Sequence, residues 1–258
     1  MNIHIIGGGN LGVAIAIGLS KYSKNTNITV TRRNTESIQY LRQSGITVAS
    51  DNTFQIQQAD VIILAVKPHQ TATVLNEIAP LTLGKMIVSA ISGITIETLR
   101  QFTDNASPIF RIMPNIAIQF GASATCIAFI DKDKEQAQKV ITLFADVGTV
   151  PVIEEKLMDA ATVLGACGTA YALRYIRASM QAGIEIGFDS QTALAIAAQT
   201  AKGASQMLLE EKIHPEQLID RVTTPQGCTI VGLNEMEHQG FSSSLIKGIK
   251  TSLQKITG

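Results

Sequence analysis

The sequence predicts an α/β domain built on a parallel sheet, followed by a domain made of helices alone. Up to about Pro151, short apolar runs alternate with amphipathic segments, which is typical of a parallel sheet covered by helices on both faces. No proline lies between Pro151 and Pro215, and 13 alanines lie between Ala160 and Ala204, which favours long helices. We therefore expect two domains, residues 1–152 and 153–258.

The elements of the first domain follow in chain order. Its strands are predicted from short β-rich runs at Asn2–Ile6, Ile28–Val30, Gly45–Val48, Val61–Val66, Met86–Ser89 and Ile109–Met113. Amphipathic helices are predicted between them at Leu11–Tyr22, Glu36–Gln43, Gln70–Ile78 and Ile96–Phe102. Asn34 is the expected N-cap of the second helix. We expect three further elements at the far edge of the sheet: Thr125–Ile130, Lys134–Phe144 and Thr149–Ile153.

Charge and composition narrow the classes of function. Lys plus Arg number 21 and Asp plus Glu number 21, so the formal net charge is zero. This argues against a nucleic-acid binder, which usually has a basic stripe, and against electrostatic binding to a membrane. The N-terminus has no basic region of the kind that begins a signal peptide.

The cysteines and histidines predict no special chemistry. The three cysteines are widely spaced, which predicts no disulfide framework and favours a reducing cytoplasm. No pair of cysteines or histidines has the spacing of a metal site, so no bound metal is expected.

A glycine motif marks a nucleotide site at the start of the chain. Gly7, Gly9 and Gly12 form G-x-G-x-x-G directly after a predicted strand and at the opening of a predicted helix. Gly7 allows the tight turn, Gly9 lets a pyrophosphate approach the backbone, and Gly12 lets the helix pack on the strand. This context predicts a Rossmann-type domain, with Asn10 and Leu11 beside the cofactor.

The residues after the second strand indicate which dinucleotide binds. An NAD site usually has Asp or Glu here, to bind the ribose 2′-hydroxyl. This sequence has Arg32 and Arg33 instead, and guanidinium groups suit a 2′-phosphate. NADPH is therefore expected, and NADH is less favoured. Lys67 follows a buried strand, so Ala65, Val66 and Lys67 are expected to line the nicotinamide side of the site.

Several motifs in order along the chain resemble the pyrroline-5-carboxylate reductase family. Besides the glycine turn, they are Asn52, Ala65–Pro68, Ser89–Gly93, Arg111–Asn115 and, most specifically, Val222–Leu233, with sequence VTTPQGCTIVGL. The resemblance implies NADPH-dependent reduction of the cyclic imine 1-pyrroline-5-carboxylate to L-proline, the last step of proline biosynthesis. It also implies a helical domain that forms a homodimer, and in this family dimers can assemble into decamers.

The resemblance also implies roles for individual residues. In the family the substrate lies between the cofactor of one subunit and helices of the other. Asn52 and Ser92 match cofactor positions, and Asn115 matches a position at the mouth of the substrate site. A turn before a helix at Cys228–Met236 would point the backbone N–H groups of Gly227, Cys228 and Thr229 at the substrate carboxylate. The Thr229 hydroxyl would reach the ring nitrogen as the catalytic group, with Thr224 lining the same pocket.

Departures from the family pattern leave the substrate range open. The family's Ser-Gly-Ser-Gly-Pro-Ala-Tyr is replaced by Gly165–Tyr171, with sequence GACGTAY, so that only Gly168, Ala170 and Tyr171 agree. Arg177 and Gln226 also differ from the residues that the family usually has.

Two alternatives of different class remain. The first is a reductase of another imine or a β-hydroxyacid dehydrogenase, although the latter needs a lysine and Leu157–Ala201 contains none. The second is a non-catalytic NADPH sensor, which would explain the glycine turn but not the stretch Thr224–Thr229.

Overall fold

The computed structural model describes residues 1–103 and 106–257. Contacts within the chain divide it into two compact units, Met1–Ala166 and Cys167–Gly258. Residues 153–166 belong to the first unit by this measure, since Met158 and Ala161 pack with Met113 and Ala128 in one buried cluster. The boundary after residue 152 that the sequence suggests stays a prediction.

A seven-stranded sheet forms the centre of the first unit. Its strands are β1 (Asn2–Ile6), β2 (Asn27–Thr31), β3 (Thr47–Ala49), β4 (Val61–Leu64), β5 (Met86–Ser89), β6 (Ile109–Met113) and β8 (Cys126–Ala128). The order across the sheet is β3-β2-β1-β4-β5-β6-β8, in which only β8 runs antiparallel to its neighbour. The order reverses at β1, between β2 and β4, and ligands of such sheets bind at the carboxyl ends of these strands.

The other elements of the first unit surround this sheet. Strands β7 (Ser123–Ala124) and β9 (Gly148–Thr149) pair with each other in a separate small sheet. The α-helices are α1 (Asn10–Tyr22), α2 (Thr71–Ile78), α3 (Ile96–Arg100), α4 (Lys134–Ala145) and α5 (Met158–Ala161). Shorter 3₁₀ segments lie at Glu36–Ser44, Ile56–Gln58, Pro68–Gln70, Ala79–Leu81, Ile116–Phe120, Asp131–Asp133 and Glu155–Leu157, and Thr162–Cys167 is π-helical.

The predicted Rossmann-type fold is confirmed, with local differences. Strands β1, β5 and β6 have the predicted bounds, while β4 ends at Leu64, two residues early. The segment Glu36–Ser44 is a 3₁₀ helix whose N-cap residue is Thr35; the Asn34 side chain instead accepts the Glu36 N–H at 3.0 Å.

The segment predicted at Thr149–Ile153 is not a full strand of the main sheet. Its first residue belongs to β9, and Val152 makes a single parallel bridge to Ile127 of the edge strand β8.

The core of the first unit is apolar on both faces of the sheet, and a buried arginine of β6 forms an ion pair within it. Side chains of β1 and β4 are buried along their length, with Ile5, Ile62 and Ile63 fully enclosed. Arg111 of β6 is also buried, and its guanidinium pairs with Glu155 at 3.0 Å. The same Glu155 oxygen accepts the Ile96 N–H at the start of α3, at 2.7 Å. This pair therefore fixes residue 155 to the sheet.

The second unit consists of helices α6 (Gly168–Glu185), α7 (Ser190–Glu211), α8 (Pro215–Arg221), α9 (Cys228–His238) and α10 (Phe241–Thr257). Gly187 has a φ of +113° after α6, and the Asp189 side chain caps α7 by accepting two backbone N–H groups. The Tyr171 and Ser252 hydroxyl groups lie 2.7 Å apart and connect α6 to α10.

The second unit buries few apolar side chains in the single chain. In its described part these are Ala193, Ala197 and Leu218, while large side chains such as Ile186 are 76% exposed. In the segments 1–103 and 106–257, no helix is long and apolar enough to cross a membrane. The same segments contain no cluster of three or more candidate metal ligands.

Candidate active site

A cavity of about 800 Å³ opens at the carboxyl ends of β1, β2 and β4. It contains most residues that the sequence assigns to the cofactor. Those are Gly7, Gly9, Arg32, Arg33, Asn52, Ala65, Val66 and Lys67. Asn10, Leu11, Gly12 and Ser92 are not among the residues that line it.

The glycine turn has the geometry that a pyrophosphate site requires. Gly7 has a φ of +112°, and a Cβ there would lie 2.5 Å from the Ala65 carbonyl oxygen. A Cβ on Gly12 would collide with the Gly7 carbonyl oxygen, so Gly12 lets α1 start directly against the turn. A Cβ on Gly9 would meet no protein atom within 4 Å. Gly9 therefore borders open space at the N-terminus of α1, where an anion is favoured.

The two arginines after β2 both line the cavity. The Arg32 guanidinium donates to the Gly8 carbonyl oxygen at 2.8 Å, which ties the end of β2 to the glycine turn. Arg33 is exposed, and its side chain has no hydrogen bond or ion pair within the segments that the structure describes. Arg33 therefore has its whole guanidinium free to bind a phosphate, and Arg32 uses only Nη1 on the Gly8 carbonyl.

Asn52 is held in place by three hydrogen bonds. Its amide oxygen accepts from the Thr31 hydroxyl at 2.7 Å, and its amide nitrogen donates to Glu77 at 2.9 Å. Its backbone carbonyl lies 2.9 Å from the His4 ring nitrogen Nε2. His4 is buried, and this burial lowers its pKa, although the hydrogen bond to Asn52 opposes the shift. A neutral His4 with its proton on Nε2 fits this contact.

The other wall of the cavity follows β4. Ala65 and Val66 are half-buried, and Lys67 is exposed at the start of the 3₁₀ segment Pro68–Gln70. The Lys67 N–H donates to the Gln70 side-chain oxygen at 3.3 Å. These contacts hold the backbone of this turn in place, and the Lys67 residue is exposed.

Sequence reasoning missed several polar residues of this cavity. They are Thr31, Asn34, His69, Gln70, Thr73 and Glu77. The spacing of Gln70, Thr73, Val74 and Glu77 places them on one face of a helix, and this signal was available from the sequence. The spacing shows that these residues share one face of the helix, but it does not show that this face borders the cavity.

The N-terminus of α9 has free hydrogen-bond donors. Gly227 is its N-cap residue, with no side-chain cap and no acidic residue in the first turn. The N–H groups of Cys228 and Thr229 and the Thr229 hydroxyl make no hydrogen bond within residues 1–103 and 106–257. Thr224, Cys228 and Thr229 are all exposed in the single chain.

One part of the predicted anion site is wrong. The Gly227 N–H does not point outward as a free donor, because it closes the turn by donating to the Thr224 carbonyl oxygen at 3.0 Å. Within this turn Gln226 has a φ of +61°, in the left-handed region that favours glycine. A glutamine at this left-handed position therefore introduces backbone strain.

Asn115 has mainly structural contacts. Its amide oxygen accepts the Ala117 N–H at 3.0 Å and caps the 3₁₀ segment Ile116–Phe120. Its amide nitrogen donates to the Gly165 carbonyl oxygen at 3.2 Å. A role for Asn115 in substrate binding stays a prediction.

Comparisons with known proteins agree with this description. Residues 2–93 match the family model described as NADP oxidoreductase coenzyme F420-dependent, and residues 155–258 match the model described as pyrroline-5-carboxylate reductase dimerisation. Two relatives from Dictyostelium discoideum, pyrroline-5-carboxylate reductases 1 and 2, are 44% and 43% identical over 98% of this chain. The chain belongs to the pyrroline-5-carboxylate reductase family. It spans 49% of the length of the first relative and 91% of the second.

A solved structure of a pyrroline carboxylate reductase has the same fold as this chain. The pyrroline carboxylate reductase of Plasmodium falciparum, with NADP bound, is 25% identical and has a TM-score of 0.86. The match covers 99% of this chain and 97% of that chain. The family expected from the sequence motifs is thereby confirmed.

Proposed function

We propose that this protein reduces 1-pyrroline-5-carboxylate to L-proline with NADPH, the last step of proline biosynthesis. Membership of the family and the relatives' names support the reaction. The residues present also fit the cofactor, because the cavity combines an open N-terminus of α1 with two arginines at the end of β2.

In this proposal each part of the cavity has one task. The α1 N-terminus at Gly9 holds the pyrophosphate, and Arg32 and Arg33 hold the 2′-phosphate, which favours NADPH over NADH. Asn52 contacts the adenine-side ribose, and Ala65–Lys67 forms the wall beside the nicotinamide. The nicotinamide, when bound, supplies a hydride. Asn10, Leu11, Gly12 and Ser92 do not line the cavity, so we assign them to the support of the turn and the loop around it.

The start of α9 provides what the substrate needs. The free N–H groups of Cys228 and Thr229 bind the carboxylate, and the end of the helix adds partial positive charge. The Thr229 hydroxyl hydrogen-bonds the ring nitrogen, while Thr224 and Gly227 shape the turn beside it. The substrate reacts as its iminium, which already carries a proton on the ring nitrogen. As hydride adds to the imine carbon, the electron pair of the double bond moves to nitrogen, which keeps that proton and ends as an amine. Thr229 holds that nitrogen, and alignment contributes most of the rate.

The observation that supports this assignment best is the free hydroxyl of Thr229. A threonine hydroxyl in the first turn of a helix often hydrogen-bonds the backbone. The Thr229 hydroxyl makes no hydrogen bond to any residue that the structure describes. Its hydroxyl is available to a ligand beside two free backbone donors. We therefore assign Thr229 as the catalytic residue.

We further propose a homodimer in the cytoplasm, with decamers as the higher assembly. Support for the dimer comes from the dimerisation model over residues 155–258 and from the few buried side chains in the second unit. Cys126, Cys167 and Cys228 are all free, as suits a reducing compartment. Light scattering on the purified protein measures the assembly directly.

The activity is tested by following NADPH absorbance with 1-pyrroline-5-carboxylate as substrate. We expect Thr229→Ala to lower kcat/KM at least about tenfold, or about 1.4 kcal/mol of transition-state stabilisation. Thr229→Ser keeps the hydroxyl and should stay close to wild type. Thr251→Ala, an exposed threonine of α10, is the matched control and should change nothing.

Two results would contradict the proposal in different ways. Equal activity of Thr229→Ala and wild type would remove Thr229 from the mechanism while leaving the reaction in place. NADPH binding without any turnover by wild type would reject the reaction and favour the non-catalytic sensor or a reductase of another imine.

A further inference from the structure

Glu77 is the one acidic side chain among the described residues that line the cofactor cavity. It lies near the end of α2, and the arginines that follow β2 line the same cavity. Glu77 is exposed and has no ion pair within the segments 1–103 and 106–257. Its charge is therefore not neutralised by Arg32 or Arg33 through direct contact.

Asn52 connects Glu77 to the adenosine end of the cavity. The Asn52 amide donates to Glu77 Oε2 at 2.9 Å and accepts from the buried Thr31 hydroxyl at 2.7 Å. The Glu77 carboxylate can only accept, so the amide nitrogen of Asn52 must face Glu77 and the amide oxygen must face Thr31. Glu77 Oε1 has no partner in the described segments, which leaves one carboxylate oxygen free beside Asn52.

A carboxylate and a guanidinium have opposite preferences for the two forms of the cofactor. A carboxylate accepts hydrogen bonds from ribose hydroxyl groups and repels a phosphate, whereas a guanidinium binds the phosphate. Rossmann-type NAD sites place the acid directly after the second strand. In this chain Arg32 and Arg33 follow the second strand, and the acidic residue of the cavity, Glu77, belongs to α2.

We infer that Glu77 is a specificity-determining residue that opposes Arg32 and Arg33. It favours a nucleotide with a free 2′-hydroxyl and weakens one with a 2′-phosphate, so it keeps the preference for NADPH moderate. This inference rests on the proposed function, since it assumes that the adenosine part of the cofactor binds beside Asn52.

Calorimetry with two adenosine fragments isolates this effect from catalysis. Adenosine 2′,5′-bisphosphate carries the 2′-phosphate, and adenosine 5′-monophosphate has the free hydroxyl. Glu77→Gln keeps an oxygen that can accept from Asn52 and removes the charge. We expect it to tighten binding of the bisphosphate about threefold and to leave the monophosphate equal or weaker. The effect should shrink when the salt is raised from about 20 mM to about 300 mM.

Two further variants separate local charge from other causes. Glu77→Asp keeps the charge, so the ratio of the two dissociation constants should stay within about twofold of wild type. Glu97→Gln removes an exposed charge from α3, outside the cavity lining, and should leave both constants unchanged.

The possible failures are distinguishable. If wild type binds both fragments and Glu77→Gln leaves their ratio unchanged, or if Glu97→Gln shifts it equally, the role of Glu77 is rejected and the cofactor site stands. If wild type binds neither fragment, the cavity is not the nucleotide site, and the inference and the proposed function fail together.

Discussion

Gly9→Ala and Gly12→Ala each add one methyl group to the glycine turn, but we expect different effects on stability and on NADPH affinity. The methyl of Gly9→Ala would enter space free of protein atoms within 4 Å. The φ of −82° at Gly9 is accessible to alanine. We expect the free energy of unfolding to change by less than about 0.5 kcal/mol, because loss of flexibility in the unfolded chain offsets a poorer N-cap.

The methyl of Gly12→Ala meets backbone instead. It would overlap the Gly7 carbonyl oxygen and lie 3.3 Å from the Ala65 Cβ, and neither can move without disturbing the turn. Overpacking of this kind costs about 3 kcal/mol at the upper end of its range. The better helix propensity of alanine offsets about 1 kcal/mol of that cost. A net loss of about 2 kcal/mol in the free energy of unfolding follows.

Two assays separate the variants. Urea unfolding without nucleotide measures stability, and quenching or enhancement of NADPH fluorescence measures affinity. Gly9→Ala should keep wild-type stability and lose at least about tenfold in NADPH affinity, since its methyl occupies the place of the pyrophosphate. NADPH affinity within about twofold of wild type in Gly9→Ala would refute the placement of the pyrophosphate at this turn.

Two further predictions concern stability. Burial lowers the pKa of His4 from 6.5, so the unfolded chain binds more protons below that pH, and stability should fall as the pH drops through this region. His4→Gln should remove this part of the pH dependence in urea unfolding between about pH 7.5 and about pH 5; an unchanged pH profile would contradict the assignment. Gln226→Gly should raise the free energy of unfolding by about 1 kcal/mol, because Gln226 has a φ of +61°. A less stable variant would show that this side chain compensates for the strain.

Much of the sheet was predictable because local pattern and tertiary environment agree there. Asn2–Ile6, Met86–Ser89 and Ile109–Met113 are apolar runs with polar or turn-forming flanks, and the structure gives them the predicted bounds. The small sheet formed by β7 and β9 was not predicted as such, because each strand has only two residues and no periodicity can develop over that length.

The candidate site was predictable where a motif connects local sequence to a ligand. The glycine turn and the arginines after β2 are of this kind, and all but Gly12 of the five residues line one cavity. The roles of Glu77 and of the Gly227 N–H could not be predicted in this way. Glu77 reaches the cavity only because of how α2 packs, and the Gly227 N–H is removed by a turn hydrogen bond that a helix-end argument does not include.

The transfer of deuterium from labelled NADPH to proline tests the central claim most directly. The protein is incubated with 1-pyrroline-5-carboxylate and NADPH carrying deuterium at both positions of nicotinamide C4, and the product is analysed by mass spectrometry. The account predicts L-proline with a single deuterium at the carbon of the former imine. Formation of unlabelled proline, or consumption of NADPH with no proline formed, would contradict it.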